Sequence, residues 1–486
     1  MRRIINIVSK FWPLLLIFII AIFLRFFRFS EFVMFLGDQG RDAIIVKRIL
    51  TLEHLPAIGA PTSVGQVYLG PFYYYFIAPW LLFFRNNPVG LAFGVALFST
   101  IFILVNFLIV KELFNEKIAY ISTALVAFSY SLIELSRFSW NPNLLPLFTL
   151  LTIYFVIKSI KTKKWIFYVL TGAFISFSIQ LHYLFLFIIP VIGIIYILSL
   201  RGALTTKQSL KKIVLNLFYL IFNFFIFSSP LLVFDLRHQF LNTKNFIKLF
   251  SQSAGSKSNF FVSLSQTFLN LNKFSFGFDF NPIISLLILI LIIIGFAVLI
   301  PKKQVNLKIF IGLFLSFIIF FSFYGGSKYL HYYGLIYPIY FIIIANILSD
   351  LTLQKFGKYL IGLFLVAFIF LNGAKYTFLF AKGGNQINQS KLIAQKIFDN
   401  VRDPKFTVTA LPERFSDSTY RYFLEIWGKR SLEKDSLERA NELFVVCEKD
   451  CLPIIGNPDW EIAFFAPNKI VGQWKVDGVK IYKLIR

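Results

Sequence analysis

The stretch "NPIISLLILILIIIGFAVLI", residues 281–300, has no charged residue along its whole length. An α-helix of about 20 apolar residues is long enough to cross the hydrocarbon core of a membrane, since each residue adds about 1.5 Å. Within lipid the backbone N–H and C=O groups must pair with one another, and a helix satisfies them within a single segment. The stretch therefore predicts a membrane-spanning helix.

The composition extends this prediction to the whole chain. Of its 486 residues, 57% are hydrophobic, 19% are aromatic and only 15% are charged. In a soluble globular domain about 25% of the residues are charged. We therefore expect an all-α polytopic membrane protein.

The net charge of +25 is interpreted here as a sign of membrane topology. Lysine and arginine occur in short clusters between apolar runs, for example in "KSIKTKKW" (158–165) and "PKKQVNLK" (301–308). Such clusters are typical of the cytoplasmic loops of membrane proteins. This distribution favours topology over nucleic-acid binding as the reason for the charge.

Placing the basic clusters inside predicts about eleven spans, with a cytoplasmic N-terminus and an extracytoplasmic C-terminus in the plasma membrane. The basic start, residues 1–10, is followed by no small-residue cleavage site, so we expect a retained first span. The apolar segment 71–84 is too short to span, and we expect it to lie along the outer surface. It belongs to a first outer segment, residues 30–87, and a later outer loop covers residues 234–280. The predicted spans are 11–29, 88–110, 117–134, 144–160, 165–181, 184–200, 213–233, 281–300, 309–323, 334–348 and 359–378.

The composition changes at about residue 384. Residues 384–486 hold 16 Lys and Arg and 14 Asp and Glu, which leaves 10 of the 24 acidic residues for residues 1–383. In this part "KLIAQKIFDNV" has helical spacing, whereas "FTVTAL", "LFVVCEKD" and "KVDGVKIYKL" are typical of strands, the last with an Asp-Gly hairpin signal. We therefore predict a transmembrane domain (1–383) and a small soluble α/β domain outside the membrane (384–486). Cys447 and Cys451 either pair in an oxidising compartment or remain two thiols.

The octapeptide "LGDQGRDA" (36–43) follows the first apolar run directly and contains two acidic residues, Asp38 and Asp42. In a helix over about 39–52 the two carboxylates lie one turn apart and can point at one site. A simpler role is open for each of them. Asp38 is well placed as a helix N-cap, and Asp42 can pair with a neighbouring cation.

These motifs resemble the GT-C superfamily of polyprenyl-phosphate-sugar-dependent glycosyltransferases, in particular protein O-mannosyltransferases and lipid A aminoarabinose transferases. The resemblance covers most of the chain and includes "GDQGRDA" after the first span, "YLGPFYYYF" (68–76), "SRFSWNPNLLPLF" (136–148), "HYYGLIYP" (331–338) and the C-terminal outer domain. It implies a helical module with a cavity at the outer leaflet, where a lipid-linked sugar enters from the bilayer. It also implies that Asp38 acts on the acceptor and that Asp42 lies beside it.

Transfer from such a donor displaces a lipid phosphate through an oxocarbenium-like state. A carboxylate then has to take the proton of the attacking acceptor hydroxyl. We expect Asp38 to be this base, with Asp42 as the second catalytic candidate. The departing phosphate requires basic donors, and the candidates on the outer side are Arg41, Arg137, Lys328 and His331.

The basic candidates also have simpler structural explanations. Arg137 lies one turn from Glu134 and can pair with it. Lys328 and His331 lie in a glycine-rich loop followed by aromatic residues, which is typical of anchoring at the membrane interface. The other two histidines at predicted outer helix ends are expected to satisfy backbone groups there: His182 and His238.

The chain departs from the family pattern at two places. Many relatives carry Lys or His where this chain has Gly70 before Pro71, so one phosphate contact is absent or supplied elsewhere. Relatives often carry an aspartate in the second outer loop, "SRFSWNPN" (136–143), where this chain has Asn141 and Asn143. A hard cation prefers several charged oxygen ligands, so we expect no metal. We also expect no other cofactor.

Two other classes of function remain open. A lipid-linked glycan flippase or transporter would carry ionisable residues in the middle of its spans. A non-enzymatic envelope scaffold would use the C-terminal domain as a binding module. For a glycosyltransferase, the expected partners are a polyprenyl-phosphate-sugar donor, a protein, lipid or glycan acceptor and membrane lipid, without nucleic acid.

Overall fold

The computed structural model describes residues 2–62, 66–201, 207–253, 259–299, 305–351, 356–412, 416–434, 436–449, 451 and 453–486. In these residues the chain forms twenty α-helices and one four-stranded sheet, which confirms the predicted fold class. The helices are α1 (Arg2–Phe26), α2 (Phe29–Phe32), α3 (Gly37–Leu50), α4 (Phe72–Phe83), α5 (Val89–Leu113), α6 (Glu116–Phe128), α7 (Tyr130–Ser136), α8 (Leu145–Thr162), α9 (Trp165–Leu181), α10 (Ile189–Arg201), α11 (Lys207–Arg237), α12 (Leu241–Ser253), α13 (Phe260–Phe276), α14 (Pro282–Leu299), α15 (Val305–Ser322), α16 (Ile336–Leu351), α17 (Gly357–Gly373), α18 (Gln386–Asn400), α19 (Asp417–Ile426) and α20 (Trp460–Phe465).

Each predicted span coincides with an apolar helix or with two consecutive helices. By length and composition, five helices of the described chain can cross a membrane, or six if α6 and α7, bent by 58° at their junction, form one span. Five further apolar helices have 10–17 residues. The count of eleven stays a prediction. The basic clusters at 201–212, 301–308 and 349–358 lie partly outside the described residues.

The outer loop predicted at 234–280 is mostly helical, since it contains α12 and α13. Asn259 caps α13, and its side-chain oxygen accepts the Phe261 N–H at 3.0 Å. Buried side chains such as Phe268 and Leu271 pack α13 into the main core. Helix α13 was not predicted, because serines and asparagines interrupt its apolar pattern and reduce its hydropathy. The outer position of this segment stays a prediction.

Helices α3 and α4 bring the first outer segment back onto the membrane helices. The buried residues of α3 recur at helical spacing, as in Gln39, Ala43 and Val46, so one face of α3 is covered. α4 packs against α3 on one side and α5 on the other, with Tyr74 and Ile77 fully buried. The polar start of α3 is therefore held against the helical core.

The C-terminal unit, residues 384–486, contains the sheet. Its strands are β1 (Phe406–Leu411), β2 (Glu442–Cys447), β3 (Lys469–Val476) and β4 (Val479–Ile485), in the order β1-β2-β4-β3. β1 and β2 are parallel and the other pairs are antiparallel. Asp477 and Gly478 connect β3 to β4 with φ of 46° and 84°, which suits an Asp-Gly hairpin turn and confirms that prediction. Cys447 and Cys451 form a disulfide with Cα atoms 5.8 Å apart.

The C-terminal unit packs directly on α3 through α19. Tyr422 of α19 also donates a hydrogen bond to the Asn86 carbonyl at 2.6 Å, just before α5. The first outer segment and the C-terminal unit therefore lie on the same side of the helical core, as the predicted path requires.

Candidate active site

The acidic motif forms the first turn of α3. The helix begins at Gly37, and the Gln39 side chain accepts the Leu36 N–H at 3.0 Å. The expected role of Asp38 as the N-cap was therefore wrong, because the N-cap residue is Leu36 and Asp38 is the second residue of the helix. The N–H of Leu36 is satisfied by Gln39. In this position the carboxylate of Asp38 still interacts favourably with the positive end of the helix dipole.

Arg41 joins the two aspartates. Its Nη1 donates to Asp38 Oδ1 at 2.8 Å, and its Nη2 donates to Asp42 Oδ1 at 2.7 Å. The Asp38 side chain is 49% exposed, whereas that of Asp42 is 1% exposed. Burial alone would lower the pKa of Arg41, but Asp42, Tyr74 and Asp38 outweigh it and raise this pKa. Arg41 therefore stays charged between a buried and an accessible carboxylate.

Asp42 is the buried member of the pair. Its Oδ1 accepts hydrogen bonds from Arg41 and from the Tyr74 hydroxyl at 3.1 Å, while its Oδ2 has no hydrogen-bond partner among the described residues. Burial raises the pKa of Asp42 above its ordinary value, against the opposing effect of Arg41. The alternative pairing of Asp42 with a neighbouring cation is thus realised with Arg41.

The aromatic segment and the second outer loop meet the acidic motif. Tyr73, next to Tyr74 on α4, shares a 2.5 Å hydrogen bond with Ser139, and Gln39 donates to the Ser139 carbonyl at 3.3 Å. Sequence reasoning missed Tyr73, Tyr74 and Gln39 as site residues. The segment 71–84 was expected along the outer membrane surface, yet its Tyr73 and Tyr74 are only 3% and 1% exposed. Their side chains lie near Asp42 only because α4 packs on α3.

Arg137 is buried and holds the end of α1. Its guanidinium donates to the carbonyls of Leu24 and Arg25 at 3.0 Å and of Phe27 at 2.8 Å. It also lies 4.1 Å from the centroid of the Phe378 ring. Burial lowers the pKa of Arg137 to about 10, so the side chain remains cationic at neutral pH. Its hydrogen bonds thus go to backbone carbonyls rather than to Glu134.

The two asparagines of the second outer loop also bind backbone carbonyls. The Asn141 amide donates to the Leu181 carbonyl at 2.7 Å, and the Asn143 amide donates to the Phe138 carbonyl at 2.9 Å. Both side chains are 5% exposed. An aspartate at either position would bring a carboxylate against a carbonyl oxygen, which accounts for the amides found here.

The glycine-rich loop "GGSKYLHYYG" (325–334) contributes Lys328 and His331. The His331 ring lies 4.4 Å from the centroid of the Trp140 ring, so this loop meets the second outer loop. Lys328 extends toward α13 and donates to Ser263 Oγ at 2.7 Å. Burial lowers the pKa of Lys328 to about 8 and, with a further contribution from His182, that of His331 to about 3.

Two further histidines, His182 and His238, act at helix ends, as expected. His182 accepts the Leu184 N–H at 3.2 Å, and His238 bonds to the Phe234 carbonyl at 2.8 Å near the end of α11. Within the described ranges, no three or more His, Cys, Asp or Glu side chains form a group that could hold a metal ion.

The fold has counterparts in solved structures. The chain has the fold of ArnT from Cupriavidus metallidurans bound to undecaprenyl phosphate, with a TM-score of 0.66 and 12% identity over 97% of this chain and 98% of that one. The same protein in its apo state gives a TM-score of 0.60 at 12% identity, over 98% of each chain. AglB from Archaeoglobus fulgidus, in complex with an inhibitory peptide and a dolichol-phosphate, gives 0.53 at 13% identity, over 87% of this chain and 64% of its own.

The chain therefore has an ArnT-like membrane-protein fold, and the predicted resemblance to the GT-C superfamily is confirmed at the level of the fold. Residues 69–233 match the family model described as dolichyl-phosphate-mannose-protein mannosyltransferase. The match begins after α3, so Asp38 and Asp42 precede it. No curated protein sequence is significantly similar to the chain.

Proposed function

We propose that the protein is a glycosyltransferase that moves a sugar from a polyprenyl-phosphate donor to an acceptor hydroxyl at the outer face of the membrane. The observation that carries this proposal is the pair Asp38 and Asp42, bridged by Arg41 at the start of α3, with only Asp38 open to solvent. The fold shared with ArnT, whose structure contains undecaprenyl phosphate, supports a lipid-phosphate donor.

Asp38 is the proposed general base. As the acceptor oxygen attacks the anomeric carbon, the bond from that carbon to the phosphate oxygen breaks and its electron pair stays on the lipid phosphate. The proton of the acceptor hydroxyl passes to Asp38 and then to solvent. Arg41 holds one oxygen of Asp38 at 2.8 Å and thereby orients the carboxylate. Asp42 fixes Arg41 from the buried side and is the second proposed catalytic-site residue.

Lys328 is the first choice for the phosphate contact. It is cationic below a pKa of about 8 and, among its described polar contacts, it interacts with neutral Ser263 rather than with a carboxylate. We propose His331 as a neutral hydrogen-bonding partner, since burial keeps its pKa far below neutrality. We also propose that Arg41 and Arg137 contact the donor phosphate. Arg41 would use N–H groups that do not bind the aspartates, and Arg137 would use N–H groups that do not bind the carbonyls at the end of α1. The proposed reaction assigns no step to a cofactor.

The side of the membrane is part of the proposal. A disulfide between Cys447 and Cys451 suits an oxidising compartment, which favours an extracytoplasmic C-terminal unit. Since α19 packs on α3, the acidic motif lies on that same side. The basic clusters between spans favour a cytoplasmic N-terminus.

The test is a donor panel with purified full-length protein in lipid nanodiscs. Undecaprenyl phosphates carrying mannose, glucose, galactose or aminoarabinose are incubated with candidate acceptors, and release of the free lipid phosphate is measured. We expect Asp38→Asn to reduce release by about 100-fold or more, because general-base catalysis contributes 10²–10⁴-fold. The thermal stability of this variant should remain that of the wild type.

A matched control is Asp279→Asn, which removes an exposed aspartate paired with Lys273. It should leave the rate unchanged. An active Asp38→Asn variant would contradict the assignment of the base. Absence of lipid phosphate with every donor would contradict the transferase itself and leave the flippase and the scaffold to be considered.

A further inference from the structure

Helices α3 and α19 lie side by side and run in the same direction. Near the start of both helices, Gly40 contacts Ser418 and Thr419. Near their ends, Arg48 contacts Glu425. The two helices, although far apart in sequence, are therefore fixed to each other at two points.

The first point is a contact between backbones. A Cβ atom at Gly40 would lie 2.5 Å from the Thr419 nitrogen and 2.8 Å from the Thr419 Cα, too close for any side chain. Backbone atoms cannot rotate away as a flexible side chain can. Because Gly40 lies between Asp38 and Arg41 in the same turn, a shift of α19 at this contact would move both charged residues.

The second point is a buried ion pair. The Glu425 side chain is 7% exposed, and its two oxygens accept Arg48 Nε at 3.0 Å and Arg48 Nη2 at 2.8 Å. Lys47 adds a third hydrogen bond at 3.1 Å. A bidentate pair of this kind fixes both distance and orientation. Loss of the carboxylate would leave two cations without their shared buried partner.

The start of α19 is in turn fixed to the sheet of the C-terminal unit. Asp417 is fully buried and forms ion pairs with Arg421 at 2.7 Å and with Lys434 at 2.9 Å. Arg421 also donates to the Val408 carbonyl of β1 at 2.8 Å. Polar contacts thus fix α19 to β1, and the close backbone approach at Gly40 connects α19 to α3.

We infer that the C-terminal unit positions the acidic motif for transfer, with Gly40 and Glu425 as positioning residues. This inference rests on the proposed glycosyltransferase function. Asp38 can accept a proton only within hydrogen-bonding distance of the acceptor oxygen. A misplacement of about 1 Å can reduce the rate about 100-fold, so the packing of α19 on α3 controls the rate of the chemical step.

The test uses full-length protein with Gly40→Ala, Glu425→Gln and the control Glu438→Gln. The control removes an exposed carboxylate that pairs with Lys405 within the C-terminal unit. With the most active donor of the panel, we expect both positioning variants to lower kcat by about 10- to 100-fold and to change KM by less than about threefold. Hydrogen exchange of the α3 amides should be faster in both variants and unchanged in the control.

Wild-type kcat and wild-type exchange in both positioning variants would overturn the inference, as would a loss explained entirely by KM. If Glu425→Gln does not yield folded protein, Glu425→Asp, which keeps the charge on a shorter side chain, is measured in its place. If the wild type releases no lipid phosphate with any donor, the proposed function fails. Hydrogen exchange of α3 then still decides whether the C-terminal unit positions this helix.

Discussion

Two arginines, Arg41 in the first outer segment and Arg137 in the second outer loop, are used in opposite ways. Arg41 is 27% exposed on its side chain and binds two carboxylates, one of which reaches solvent. Arg137 is 4% exposed, and its hydrogen bonds go to the carbonyls at the end of α1. The same residue type thus joins two carboxylates at the start of α3 in one case and donates hydrogen bonds to backbone carbonyls in the other.

The largest effect expected from this comparison is on stability at Arg137. Arg137→Met leaves two buried carbonyls and one partly buried carbonyl without their donor. An unsatisfied buried group costs about 1–3 kcal/mol, so we expect the free energy of unfolding to fall by about 2–6 kcal/mol, measured by denaturant or thermal unfolding in detergent. The control is the double variant Arg41→Met/Asp42→Asn, which removes the cation together with the buried carboxylate that it pairs with, and it should lose clearly less. Equal losses in the two variants would remove the distinction between the two arginines.

A smaller effect is expected at Asn141. Asn141→Asp replaces the amide donor to the Leu181 carbonyl by a carboxylate, so a buried acceptor faces another acceptor. We expect a loss of about 1–3 kcal/mol in the same unfolding measurement. Asn87→Asp is a matched control, because the Asn87 oxygen only accepts the Val89 N–H and a carboxylate accepts it equally well. A stable and more active Asn141→Asp variant would show that this loop has room for a second acid.

The smallest effect concerns Lys328, a cation that bonds to a neutral serine instead of carboxylates. If it binds the donor phosphate, affinity should fall as the pH rises past the Lys328 pKa of about 8, where the charged form is lost. Lys328→Met should raise KM for the donor about tenfold at neutral pH and abolish this pH dependence. Lys328→Arg should keep the affinity above pH 8. A KM independent of both pH and substitution would assign Lys328 to anchoring alone.

Regular elements could be predicted where the local pattern determines them. The strand sequence "FTVTAL" is β1, and Asp477 and Gly478 form the expected hairpin turn. Apolar runs of span length became helices because burial and backbone pairing leave few alternatives. Helix α13 was not predicted because its serines and asparagines interrupt the continuous apolar run by which the other helices were recognised.

The candidate site could be predicted only in part. The spacing of Asp38 and Asp42 placed both on one turn of α3, and the adjacent Arg41 was a foreseeable partner. The approach of Tyr74 to Asp42 depends on how α4 packs on α3, which no local pattern specifies. The hydrogen bonds of Arg137 depend on where α1 ends relative to α7. Such contacts join segments tens to hundreds of residues apart and follow from the assembled fold.

The pairing of Arg48 with Glu425 has a consequence for biosynthesis. These residues are 377 positions apart, and α3 is made long before α19 leaves the ribosome. A nascent chain that has inserted its helices still lacks the surface that covers α3, and closing a loop of this size is slow compared with local helix formation. The acidic motif therefore reaches its final position only after residues 384–486 have folded, so a chain truncated before them should insert into the membrane without the contacts that fix α3.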